Sequence, residues 1–136
     1  WNLYYDYKIS NNIPCFNEAG CNSLQIAPGP VYASERRGDC RNLLDLVCSY
    51  NDLTTLDVTG CQNLLFVDCS YNDLTQLTLS NQTFLQRLLC NNNQLQLLDV
   101  SFDSALTYIN CRYNMITDLR TIGCNNLNMI ACQWNP

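Results

Sequence analysis

Apolar residues in this chain follow two superimposed periods. Over a few residues Leu, Val, Ile or Cys alternates with polar side chains, the signature of a short strand with one buried face. Over longer distances the same series returns at a fixed interval, the step from Leu43 to Leu64 being repeated at Leu85, Leu106 and Leu127. It reads Leu43-x-x-Leu46-x-Cys48, Leu64-x-x-Val67-x-Cys69, Leu85-x-x-Leu88-x-Cys90, Leu106-x-x-Ile109-x-Cys111 and Leu127-x-x-Ile130-x-Cys132. Three places past each cysteine stands an asparagine: Asn51, Asn72, Asn93, Asn114 and Asn135. The heptapeptide CSYNDLT recurs letter for letter at 48–54 and 69–75. Self-similarity at a fixed period signals one unit stacked on its neighbours. A second series occupies the other half of each unit, at Leu53-x-x-Leu56-x-Val58, Leu74-x-x-Leu77-x-Leu79 and Leu95-x-x-Leu98-x-Val100, with a weaker continuation at Ile116-x-x-Leu119. Half-units of about ten residues leave no room for a helix, so the pattern predicts a mainly β solenoid with parallel strands stacked in two flat sheets.

The motif LxxLxCxxN, five times over, resembles a leucine-rich repeat, and its nesting with LxxLxL resembles the 21-residue bacterial (IRREKO-like) class. The likeness covers roughly residues 40–136, which are expected to form the solenoid, with 1–39 as an N-terminal strand and irregular cap. It implies a secreted or cell-surface scaffold that mediates protein–protein interaction rather than catalysis. Within such a coil an inward asparagine, with two donors and one acceptor, satisfies its own turn and the next rung. The equivalent column in the second half is mixed: Cys40, Cys61, Gln82, Asp103 and Cys124.

Cysteines on stacked rungs would stand about 4.8 Å apart with parallel Cβ vectors, farther than a disulfide tolerates between Cβ atoms. Free buried thiols are therefore expected at Cys48, Cys69, Cys90, Cys111 and Cys132. A straight file of sulfurs does not surround a tetrahedral ion and the chain has no histidine, so no metal and no cofactor is expected. Cys15, Cys21 and Cys40 lie where the repeat breaks down and form the plausible disulfide cluster, with pairing open.

At the N-terminus Trp1, Leu3, Tyr5, Tyr7 and Ile9 alternate with polar residues, which predicts a strand with one apolar face. At the other end Leu127 and Ile130 keep the register up to the closing QWNP, with no polar cap after them. A bare last rung exposes an apolar face and an unpaired edge. Two readings follow: a crop of a longer array, or a subunit that assembles end to end into a fibre, with a neighbour's Trp1–Ile9 strand covering that edge.

Outward positions beside the first-half strands also align. One column holds Tyr50, Tyr71, Asn92, Tyr113 and Trp134; its neighbour holds Asp45, Phe66, Arg87, Tyr108 and Met129. Tyr50, Phe66, Tyr71, Tyr108, Tyr113 and Trp134 are the candidate contacts for a protein partner, with glycan stacking as a further candidate. The alternative is that the rings only brace adjacent rungs.

Composition narrows the chemistry. A net charge of −5 with a single lysine, Lys8, offers no surface for phosphates, so nucleic acid is not an expected partner. No apolar run is long enough to span a bilayer, and no membrane insertion is expected. The chain opens at Trp1 without a charged leader and apolar stretch, so any secretion signal is expected to have been removed already or to lie outside this sequence. Asp52 and Asp73 on adjacent rungs form a carboxylate pair, but a solvated turn supplies no pocket to tune them. With no histidine base and no phosphate-cradling glycine loop, an enzyme is not expected. The tripeptide Arg37-Gly38-Asp39 and the acceptor-like Asn81-Gln82-Thr83 are short, unspecific signals.

Overall fold

A computed structural model of the chain describes residues 23–25, 43–79 and 82–136. Ten short strands are connected without any helix among the described residues: β1 (Ser23–Gln25), β2 (Asp45–Val47), β3 (Thr55–Asp57), β4 (Phe66–Asp68), β5 (Gln76–Thr78), β6 (Arg87–Leu89), β7 (Leu97–Asp99), β8 (Tyr108–Asn110), β9 (Asp118–Arg120) and β10 (Met129–Ala131). Every pairing is parallel. From β2 to β10 on the first face, partners stand one sequence repeat apart, as Leu46↔Val67, Val67↔Leu88, Leu88↔Ile109 and Ile109↔Ile130. The chain is thus a β-solenoid, one coil per repeat.

In β2, β3, β4, β6, β7 and β8 only the central residue points fully inward before the chain turns, in keeping with their shortness. Leu46, Leu56, Val67, Leu88, Leu98 and Ile109 are the central residues of β2, β3, β4, β6, β7 and β8, and all are buried. Leu43, Leu64, Leu85 and Leu106 and the thiols of Cys48, Cys69, Cys90 and Cys111 join them in one continuous core. Each fully buried leucine contributes about 1.5–3 kcal/mol from the water it sheds, so a rung is held mainly by its flanking rungs.

The two faces differ. On the first, the strands form one six-stranded sheet in the order β1-β2-β4-β6-β8-β10. It takes in Ser23–Gln25, where Ser23 lies opposite Asp45 at a spacing slightly longer than the repeat, so the sheet extends into the segment that the sequence assigns to an irregular cap. On the second face the expected flat sheet is interrupted: β3 pairs β5 and β7 pairs β9, with no ladder between β5 and β7 among the described residues. Gln94 N still donates to Leu74 O at 2.9 Å across that seam, as Asp73 N does to Leu53 O and Met115 N to Leu95 O on its two sides, also at 2.9 Å. The seam lies where the mixed column carries Asp103.

The asparagine file forms as the spacing predicts. Asn93 Nδ2 donates to Cys69 O at 3.0 Å, one rung back, and to Cys90 O at 3.1 Å in its own turn, while its Oδ1 accepts from Leu74 N at 2.9 Å. Asn72 repeats this with Cys48 O, Cys69 O and Leu53 N, and Asn114 with Cys90 O, Cys111 O and Leu95 N. Asn135 closes the series with Cys111 O, Cys132 O and Ile116 N. At the near end Asn51 Nδ2 donates to Cys48 O at 3.1 Å. Trp1, Leu3, Tyr5, Tyr7, Ile9, the cluster of Cys15, Cys21 and Cys40, the Arg37-Gly38-Asp39 tripeptide and Asn81 lie outside the described residues. No helix among the described residues is long and apolar enough to cross a membrane.

Candidate partner-binding face

Just after β2, β4, β6, β8 and β10 the chain must reverse direction while sending an asparagine inward. It does so with one residue in the left-handed region: Tyr50 (φ 57°), Tyr71 (φ 53°), Asn92 (φ 55°), Tyr113 (φ 53°) and Trp134 (φ 65°). The amide of each of the first four is fixed by a carbonyl of the next rung, as in Tyr71 N to Asn91 O at 3.0 Å and Tyr113 N to Gln133 O at 3.1 Å. With backbone and ladder both specified, the side chain at this position stands out from the coil. Tyr50 and Tyr71 stack with ring centroids 4.4 Å apart and planes 6° from parallel. Tyr113 and Trp134 stack at 5.6 Å and 10°. All four rings are exposed, Trp134 by 68%. Asn92 divides the file into two stacked pairs.

The choice of residue type is informative. A left-handed backbone costs a side chain with Cβ about 1–2 kcal/mol, least for asparagine, whereas a stacked aromatic pair returns about 0.5–1.5 kcal/mol. Two strained residues thus cost more than the one stack they form regains. A file shaped by stability alone would carry glycine or asparagine throughout, as Asn92 does.

The neighbouring column behaves differently. The Arg87 guanidinium lies between two rings, 5.7 Å from the centroid of Phe66 and 5.6 Å from that of Tyr108. Phe66 and Tyr108 are half-buried and engaged by this cation, so they brace three adjacent rungs more than they offer free surface. Asp68 closes its turn by accepting from Ser70 N at 3.0 Å and Ser70 Oγ at 2.6 Å. Of the six aromatic candidates, the structure therefore brings Tyr50, Tyr71, Tyr113 and Trp134 into one exposed file and sets Phe66 and Tyr108 into a separate cation–π sandwich. Sequence reasoning missed Arg87, although its place between two aromatics in one aligned column is a signal for it.

Chemistry in the core is muted. Burial pushes the Cys48 thiol up to about 12, with Asp68 adding to the effect. Burial likewise holds Cys69 and Cys90 well above the ordinary thiol range, reinforced by their neighbouring sulfurs, and raises Cys111 to about 11. Such thiols stay protonated and unreactive. Cys48, Cys69, Cys90, Cys111, Cys124 and Cys132 are free thiols, and no group of three metal-ligating side chains occurs among the described residues. Asp52 and Asp73 are exposed at their turns, and Asp73 Oδ1 accepts from Gln94 Nε2 at 3.0 Å.

At the far end of the sheet, β10 pairs only with β8 among the described residues. Met129 is 59% and Ile130 37% exposed there, while Leu127 packs against the core. Ile116, Leu119, Cys132 and Pro136 line an open cup beneath this edge. Comparison with family models, with curated proteins and with solved structures finds no match for this chain.

Proposed function

We propose that this chain is a non-enzymatic recognition scaffold, a leucine-rich-repeat-like solenoid of a secreted or cell-surface protein that engages a protein partner through its aromatic file. One observation carries the reading: in the file that follows β2, β4, β8 and β10, four exposed aromatic side chains occupy left-handed positions where glycine or asparagine would be less strained. Local backbone strain that the surrounding structure holds in place is concentrated at binding sites, and exposed Tyr and Trp are favoured anchors of interfaces. The test replaces Tyr50, Tyr71 and Tyr113 together by asparagine, the residue already accommodated at Asn92. Proteins retained by the native chain are expected to be lost from the variant, with hydrogen-exchange protection on binding confined to the file, and the melting temperature is expected to hold or rise. Unchanged binding with a lowered melting temperature would assign the rings to bracing alone.

A second reading rests on the exposure of Met129 and Ile130 on β10, which pairs only with β8 among the described residues. In it, copies of the chain stack end to end, Leu127 and Ile130 meeting the apolar side of a neighbour's N-terminal strand. Filaments seen by electron microscopy and abolished by Ile130→Lys would support it; a monomer at all concentrations in sedimentation would remove it.

A further inference from the structure

The second face contains a column that donates protons across the coil. Gln82 Nε2 donates to Val58 O at 2.9 Å and Cys124 Sγ to Val100 O at 2.9 Å, each reaching back to the preceding rung. The residue between them in the file is Asp103, whose equivalent acceptor is Leu79 O. Asp103 is only 1% exposed, yet neither carboxyl oxygen has a hydrogen-bond partner. The backbone amide of Gln82 faces the carboxyl without closing a bond that meets ordinary geometry. An ionised aspartate only accepts; with a proton it donates once.

The strand pairing changes at the same place. Where the column donates, the adjoining strands are laddered: β3 with β5 beside Gln82, β7 with β9 beside Cys124. Where it carries Asp103, β5 and β7 form no ladder with each other. The flanking ladders end in Val58 N to Thr78 O at 3.1 Å and Val100 N to Arg120 O at 2.9 Å. Leu77, the central residue of β5, is correspondingly less buried than Leu56 or Leu98.

We propose that Asp103 is a protonation latch: as a neutral acid its hydroxyl donates to Leu79 O and closes the β5–β7 seam, and on releasing that proton to solvent it opens the seam. The surroundings favour the neutral form. Burial raises the Asp103 carboxyl to about 7, the Gln82 amide lowers it in part, and the Asp99 charge adds to the rise. The other groups on this side are Cys124 on the following rung and Arg120. Arg120 is held by Asp118 at 2.6 Å and faces Asp99 at 3.7 Å, so it is committed elsewhere. Because the folded-state value lies above the unfolded one, the stability contributed by the acid is complete below the ordinary aspartate range and is lost as pH rises through about 7. A coil of this kind would be continuous in mildly acidic surroundings and split on one face above neutrality.

Carboxyl NMR titration of the full chain, with amide protection factors for Leu79 and residues 96–99, tests this. The Asp103 carboxyl is expected to titrate near neutrality, and the protection factors to fall roughly tenfold across that midpoint, the size of a local opening worth one decade in the equilibrium constant. Asp103→Asn, whose amide donates at every pH, is expected to hold the seam closed from pH 5 to 9; Asp103→Cys, carrying the donor used at Cys124, serves the same comparison if the amide is not tolerated. A midpoint in the ordinary carboxylate range, pH-independent protection in the native chain, or unchanged pH dependence in the variants would overturn the latch.

Discussion

Substituting Asn93 by alanine isolates the asparagine file from the apolar core, because the change removes hydrogen bonds and little hydrophobic volume. Asn93 is 8% exposed and sits in the middle of the array. The consequences are unequal. Cys69 O loses one donor but keeps Asn72 Nδ2 at 3.1 Å, and Cys90 O keeps Asn114 Nδ2 at 3.0 Å. Leu74 N–H, in contrast, is bonded to Asn93 Oδ1 at 2.9 Å and belongs to a fully buried residue. Stranding one buried donor costs about 1–3 kcal/mol, and each of the two lost bonds whose acceptor retains another donor contributes about 0.5–1 kcal/mol, so a loss of about 2–5 kcal/mol is expected. The terminal Asn135→Ala is the internal control. Asn135 is half-buried, and it serves Ile116 N at 2.8 Å, near the open end of the coil; water can replace it, and about 1 kcal/mol or less is expected. Urea denaturation of the two variants measures the difference, with hydrogen exchange at Leu74 as the local readout. Equal losses at Asn93 and Asn135, or no loss at Asn93, would refute the reasoning that the file acts by satisfying buried amides.

Three further outcomes follow. Arg87→Ala removes a cation from between Phe66 and Tyr108 at an exposed site and is expected to cost about 1–2 kcal/mol for the two contacts, read by thermal denaturation; Arg87→Lys should restore part of it. Leu88→Ala, at a fully buried central strand position, is expected to cost about 2–5 kcal/mol in the same assay through transfer and cavity terms. Alkylation by iodoacetamide should modify the exposed Cys132 in the native state while Cys69 and Cys90 stay unmodified up to pH 9, because burial holds their thiols protonated; rapid labelling of Cys90 in folded protein would place it outside the core.

The coil and its first sheet were legible because the repeat is dense: with Leu, Cys and Asn at fixed spacing in five units, the register of core positions such as Val67, Leu88 and Ile109 has no competing solution. The strand at Ser23–Gln25 was hidden, since its spacing from β2 departs from the repeat and the positions after it that correspond to Cys48 and Asn51 are Ile26 and Gly29. Left-handed geometry at Tyr50, Tyr71, Tyr113 and Trp134 was equally hidden, because aromatic residues carry no propensity for it; Asn92 alone in that column hinted at the backbone beneath. The break in the second face turned on one group. Gln82, Asp103 and Cys124 look interchangeable as a polar column, and only the count of donors separates them.

Because every asparagine from Asn72 onward ties its own turn to the rung before it, the bonding pattern is the same wherever a coil is added or taken away. Removing residues 64–84 would join Asn63 to Leu85 and let Asn93 meet Cys48 O and Leu53 N as Asn72 now does. The molecule is in this sense a ruler graduated in steps of about 4.8 Å, whose reach can be altered by whole units without redesigning any joint.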